Sequence, residues 1–159
     1  MTRADSTPED DPPAVLAART LGLDVTVTRH GRVNSLAEAA AARGVQPRDI
    51  VKTMVVRRGA EDYLFVLVPG DAEIAWPKLR ALLGVSRLSM PDADTAREAT
   101  GYQRGTITPF GARTAWPVIA DASITGRRVS LGSGVHGVAL GVDADAMLAA
   151  LDATVADIV

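Results

Sequence analysis

The chain has 159 residues and a mass of 16.6 kDa; 47% of the residues are apolar and 23% charged. This is the length of one domain with a core of its own, and the composition excludes collagen, a coiled coil and wholesale disorder. The net charge of −2 gathers at one end: residues 1–13 hold Asp5, Glu9, Asp10 and Asp11 against Arg3, so residues 14–159 are nearly neutral and lack the strong basic field of a protein that lives on nucleic acid.

Residues 1–13 are expected to form a disordered acidic tail ahead of a single domain over 14–159. Pro13–Leu21 predicts a first helix closed by Gly22, and alternation over Asp24–Thr28 predicts a short strand. Ser35-Leu-Ala-Glu38 is a capping box that opens an Ala-rich helix, which runs to Arg43 and stops at Gly44. Ile50–Arg57 and Tyr63–Val68 read as an antiparallel hairpin. Pro77–Leu83 predicts a short helix stopped by Gly84, Val85–Met90 a strand, and Pro91–Ala99 a further helix with Pro91 near its start. Thr100–Gly111 has neither period and is expected to be a loop. Pro117–Ala120, Arg127–Leu131 and Gly137–Val142 read as strands. Asp143 or Asp145 caps a last helix over Ala144–Leu151, and Val155–Val159 adds a terminal edge strand. Strands and helices without strict βαβ alternation favour an α+β fold with a mixed, barrel-like sheet. The longest apolar run, Tyr63–Val68, is far short of the ~20 residues that span a bilayer. With no leader-like opening, a soluble cytoplasmic protein is expected.

Several chemistries are excluded at this level. The chain has no cysteine, so disulfides, thiolate metal sites and a cysteine nucleophile are absent. Gly132-Ser-Gly134-Val-His-Gly137 matches GxGxxG, but a strand-like Val-Ala-Leu-Gly-Val follows where a dinucleotide site needs a helix. It reads instead as a glycine-rich connection between two strands. Ser133 lacks the flanking glycines of a nucleophile elbow. His30 and His136 have no compact carboxylate spacing for zinc. No metal and no cofactor are expected.

Two features stand out. The first is Lys52, one of only two lysines beside fifteen arginines. Period 2 puts it on the face of Ile50, Met54 and Val56 in an apolar strand. Lysines are rarely buried there unless paired, so a compact ammonium is wanted, or the stem snorkels to a strand end; the residues leave both open. The second is the loop Thr100-Gly-Tyr-Gln-Arg-Gly105-Thr-Ile-Thr-Pro109-Phe-Gly111. Its glycines and proline preset the backbone, either to aim N–H groups at a carbonyl or phosphate oxygen or merely to turn.

Together, the strand with VKTMVV, the later TGYQRGTITPFG and the final SLGSGVHGVAL resemble the YbaK-like family, editing domains related to the insertion domain of prolyl-tRNA synthetase. The resemblance runs from about Asp24 to the C-terminus. Its most specific elements are Lys52 in a Lys-Thr-hydrophobic context and a GxxxP motif, Gly105 to Pro109, preceded by Thr100-Gly101-Tyr102. It implies a barrel-like mixed sheet flanked by helices, and hydrolysis in trans of the ester joining a wrong amino acid to the tRNA 3′ end. It further implies Lys52 and Gly105 as catalytic, with Gly101, Tyr102, Thr106, Ile107, Thr108, Pro109, Gly134 and His136 around the substrate. The implied partner is the aminoacyl-tRNA acceptor end, with an aminoacyl-tRNA synthetase as a second candidate, and neither DNA nor a membrane. An aminoacyl ester is already activated, so water or the terminal 2′-hydroxyl suffices as nucleophile once the ester is held and its oxyanion met. The chain departs from the cysteinyl-tRNA deacylase branch at Ala139, where that branch carries an acid, so the amino-acid specificity does not transfer. Two other classes fit the same residues: a non-catalytic module that binds the tRNA 3′ end or a synthetase, and a small-molecule ester or amide hydrolase.

Overall fold

The computed structural model describes residues 11–159. Most of the expected acidic tail, residues 1–10, lies outside the described residues; the Asp11 carboxylate pairs with Arg19. Helix α1 (Pro13–Thr20) buries Ala14, Val15 and Ala18. After β1 (Thr26–Arg29), helix α2 (Leu36–Arg43) starts where Ser35 Oγ accepts the Glu38 N–H at 3.1 Å and ends at Gly44, φ 70°. A left-handed φ is open to glycine at little cost. The hairpin is β2 (Val51–Gly59) and β3 (Asp62–Pro69), followed by α3 (Trp76–Leu83) and α4 (Ala93–Thr100). The chain then runs through β4 (Val118–Asp121), β5 (Arg128–Gly132), β6 (Val138–Asp143), α5 (Ala144–Ala150) and β7 (Thr154–Ala156). Asp143, rather than Asp145, caps α5 by accepting the Ala146 N–H at 2.9 Å.

The strands form two sheets, one ordered β1-β6-β5 and the other β2-β3-β4-β7. A single parallel bridge, Ile50 to Ser130, joins β2's start to β5. The wall is therefore barrel-like but not closed. Strand β3 explains why its sequence is one apolar run rather than an alternation: it lies between β2 and the parallel β4, and both its faces are covered. Tyr63, Phe65 and Leu67 pack into a core shared with α1, β5, β6 and α5, while Leu64, Val66 and Val68 join Leu79 of α3 and Ile158 in a second cluster. Each such side chain contributes roughly 1.5–3 kcal/mol on burial.

The expected strand Val85–Met90 does not form. Gly84 adopts φ 66°, and the Val85 N–H returns to Arg80 O at 3.1 Å to finish α3, which uses up the start of the segment. Pro91, without an N–H, closes its other end. Only Ser89 pairs, exchanging hydrogen bonds with Arg57 at 2.7 and 3.1 Å. Helix α4 accordingly starts two residues later than expected, capped by Asp92, which accepts the Thr95 N–H at 2.8 Å. Short 3-10 turns at Pro47–Asp49 and Ala122–Ile124 were not foreseen. The consequence for function is that β2 is held on its outer side only near Ile50 and Arg57. Between them its edge is open.

Candidate active site

A cleft of about 600 Å³ runs along that open edge. One wall is β2 from Ile50 to Val55, another is Met90 to Ala93 at the head of α4, and the third is Arg104, Gly105 and Ile107 of the loop with Gly132 of β5. Lys52 and the Gly105 bend thus share one cavity although 53 positions separate them in sequence.

Lys52 holds its amine against one backbone carbonyl. Its half-buried stem lies on the face of Met54 and Val56, and its Nζ donates to Ala72 O at 2.6 Å. One of three ammonium N–H donors is spent there, which fixes the amine's direction. Because Ile50 O accepts the Gly70 N–H, the even-numbered residues of β2 direct their main chain to β3. The odd-numbered Thr53 and Val55 direct theirs to the cleft. Thr53 Oγ1 is shielded from solvent without a hydrogen-bond partner.

The loop is fastened to the β5–β6 hairpin by close backbone approach. A Cβ on Gly132 would lie 3.2 Å from Thr106 O, and one on Gly134 would lie 2.5 Å from Tyr102 Cε1. The Gly134 N–H donates to Thr106 O at 3.0 Å. Tyr102 is buried, its hydroxyl donating to Phe110 O at 2.7 Å, and burial pushes its phenol pKa up. Ser133 is likewise structural: its Oγ donates to Val138 O at 2.7 Å inside the hairpin. The GxGxxG look-alike is therefore what its strand context suggests, a turn whose glycines admit the neighbouring loop.

The expected site residues divide accordingly. Lys52, Gly105 and Ile107 line the cleft. His136 stands beside it: its Cε1 would be 3.5 Å from a Cβ on Gly105. Thr106 lines the adjoining groove with its backbone, its hydroxyl turned to Gln103 O at 2.7 Å. Gly101, Tyr102, Thr108 and Gly134 line neither cavity and form the scaffold behind the loop, and Pro109 faces a separate groove with Leu21 and Trp116. Among the described residues, the N–H groups of Gly105 and Ile107 have no hydrogen-bond partner. Both residues border the cleft, so the site holds uncommitted donors.

The model of the aminoacyl-tRNA editing domain matches residues 30–150. The chain belongs to this family. As an editing domain it is similar to the proline–tRNA ligase of Thermosipho africanus (strain TCF52B), at 35% identity over 92 residues, 58% of this chain and 16% of that protein. The ligase of Geobacter sp. (strain M21) matches at 34% identity with the same coverage. The matched stretch is thus a small part of these much longer relatives. Among solved structures, a protein described as a candidate trans-editing enzyme for prolyl tRNA synthetase superposes with TM-score 0.82 at 27% identity, covering 93% of this chain and 97% of that one. The hypothetical protein APE2540 gives TM-score 0.80 at 26% identity, with 89% and 95% covered.

The polar residues of this editing-domain cleft that sequence reasoning did not single out include Asp92 and Arg43. Among the described residues Asp92 is the single carboxylate on its lining; hydrogen bonds from Thr95 hold its pKa below the usual range. Arg43, at the end of α2, reaches Ser130 Oγ at 3.4 Å, while its Nε is shielded from solvent and has no partner. In sequence it is only the last residue of a helix. Its setting depends on a strand far along the chain, and no local pattern shows that.

Proposed function

We propose that the cleft hydrolyses, in trans, the ester that joins a wrong amino acid to the 3′ end of a tRNA. The observation that carries this reading is the meeting, in one cavity of an editing-domain chain, of Lys52 with a preset loop whose Gly105 and Ile107 N–H groups are uncommitted among the described residues. The ester carbonyl oxygen sits against those N–H groups. Water adds to the carbonyl carbon, and the charge that develops on the oxygen is met by donors needing no reorganisation. The bond to the ribose oxygen then breaks, and a proton from the water ends on that oxygen, leaving a free amino acid and an uncharged tRNA end.

Lys52, anchored on Ala72 O, has two N–H donors left for oxygens of the terminal nucleotide. His136, over Gly105, is placed for the ribose, whose 2′-hydroxyl marks RNA. Asp92 offers a counter-charge to the substrate's α-ammonium. Because the ester is already activated, holding and polarising it supplies most of the rate.

The test is a screen of alanyl, cysteinyl, seryl and threonyl esters on several tRNAs. Release of at least one well above its spontaneous rate is expected. If every ester stays intact while the tRNA binds, the chain is a binding module. If free aminoacyl esters turn over with no regard to tRNA, it is a small-ester hydrolase. Either outcome overturns the proposal.

A further inference from the structure

The cleft does not end at the loop. Arg43, Gly105 and Gly132 also line a second groove of about 530 Å³, so the two cavities form one trough with Arg43 on the shared wall. The groove is also lined by His30, Arg32 and His136, and among the described residues no aspartate or glutamate lines it. In a body whose charges nearly cancel, such a one-signed wall is a local feature of the sequence. Among the described residues neither Arg32 nor Arg43 has an ion-pair partner.

Arg43 is the sharper signal. It stands in the last turn of α2, where its charge suits the exposed helix carbonyls. Yet among the described residues its only hydrogen bond is the long one to Ser130 Oγ, its Nε has none, and burial pushes its pKa down. A guanidinium half withdrawn from water without a counter-charge is costly, and an incoming anion relieves that cost. Its planar fork fits phosphate oxygens two at a time, as an ammonium does not. Gly31, Gly105, Gly132 and Gly137 leave the groove without side chains at four places, so a backbone can lie close.

We propose that this groove is a phosphate-binding subsite for the single RNA strand leading into the cleft. Arg43 grips the phosphate of the terminal nucleotide, and Arg32 adds charge further along. The assignment rests on the editing reading, which seats the terminal nucleotide in the cleft. It explains how a nearly neutral body engages RNA: the charge is concentrated where the strand enters.

The test compares one amino acid esterified to adenosine alone, which has no phosphate, with the same ester on a CCA-ended acceptor minihelix. The quantity read is the preference, the ratio of kcat/KM for minihelix over adenosine. Arg43→Gln is expected to lower it about tenfold, mainly through KM, and Arg32→Gln by less. Arg43→Lys recovers part of it as a point charge. For the minihelix, the slope of log kcat/KM against log salt falls by about 0.7 in Arg43→Gln. A preference within about twofold of the parent chain, or an equal loss on both substrates, overturns the subsite. Anisotropy of a labelled, uncharged minihelix separates the two proposals. Arg43-dependent binding without hydrolysis of any ester sinks the deacylase and keeps the subsite, whereas intact hydrolysis with Arg43-independent binding does the reverse. Inorganic phosphate binding as tightly as the minihelix also overturns the assignment to RNA.

Discussion

Gly105→Ala separates folding from chemistry at the loop. Gly105 has φ +90°, and a Cβ there would meet only His136 Cε1, at 3.5 Å. That is an ordinary contact, so the steric cost is small. The cost is backbone strain, about 1–2 kcal/mol for an L-residue held in left-handed space. Against the 5–15 kcal/mol typical of a domain, the chain stays folded. The methyl group nevertheless intrudes on the space between His136 and the uncommitted N–H groups, where the proposal seats the ester. Losing one oxyanion donor of this kind costs on the order of 100-fold in rate. Single-turnover deacylation and a urea midpoint, measured on the same preparation, check both halves. A folded Gly105→Ala chain that deacylates within about threefold of the parent would refute the placement of the ester over Gly105. Gly134→Ala is the contrast. Its Cβ would lie 2.5 and 2.9 Å from Tyr102 ring atoms at φ +89°, so its main effect falls on stability.

Lys52→Ala is expected to lower deacylation by about 100-fold or more with the urea midpoint nearly kept, and Lys52→Arg also to fail, because a wide guanidinium cannot take the compact ammonium's place at Ala72 O; either variant at full activity removes Lys52 from the mechanism. Tyr102→Phe removes the hydrogen bond to Phe110 O and strands a buried carbonyl, so urea unfolding is expected to show a loss of about 1–2 kcal/mol. Asp121 is buried, and burial alone would raise its pKa. Hydrogen bonds from Ile158 N–H and from Ser123 outweigh that and hold it below the usual value. Its contribution to stability is therefore complete above the ordinary carboxylate pKa of about 4 and is lost as pH falls through the lower folded value. Urea midpoints from pH 5 to 3 should fall more steeply in the parent than in Asp121→Asn.

Much of the fold was legible because its signals are local. Ser35 with Glu38, Gly44 and Gly84 mark helix ends through their own backbone demands, and the apolar run in β3 follows from coverage on both faces. The segment after α3 misled because its Val, Leu and Met resemble a strand, while its first residue is taken by the helix end and Pro91 stops it. The site was legible in part. Lys52 stood out as a lysine among apolar neighbours, and the loop by its glycines. What no spacing shows is how the loop rests on the β5–β6 hairpin. That packing brings Gly105 and Ile107 to the cleft and turns Tyr102 and Thr108 inward. Arg43 was hidden for the same reason: its partner Ser130 is 87 positions away.

The distribution of unmet polar groups gives an independent reason to place chemistry at this cleft. Each buried donor or acceptor left without a partner costs about 1–3 kcal/mol, and folded chains rarely keep one without a use for it. Among the described residues three side-chain atoms are of this kind: Arg43 Nε, Thr53 Oγ1 and Arg127 Nε. Arg127 Nε lies 3.0 Å from Asp49 Oδ1, so its charge is compensated. The other two belong to residues on the wall of the same cleft, beside the uncommitted Gly105 and Ile107 N–H groups. Other buried polar groups among the described residues have partners: Tyr102 on Phe110 O, Ser133 on Val138 O, Asp121 on the C-terminal segment. A cleft that keeps both donors and an acceptor in reserve gives up stability that a filled one would have. A polar ligand would complete that bonding, and the proposed substrate, an ester flanked by ribose and phosphate oxygens, has the acceptors to do so.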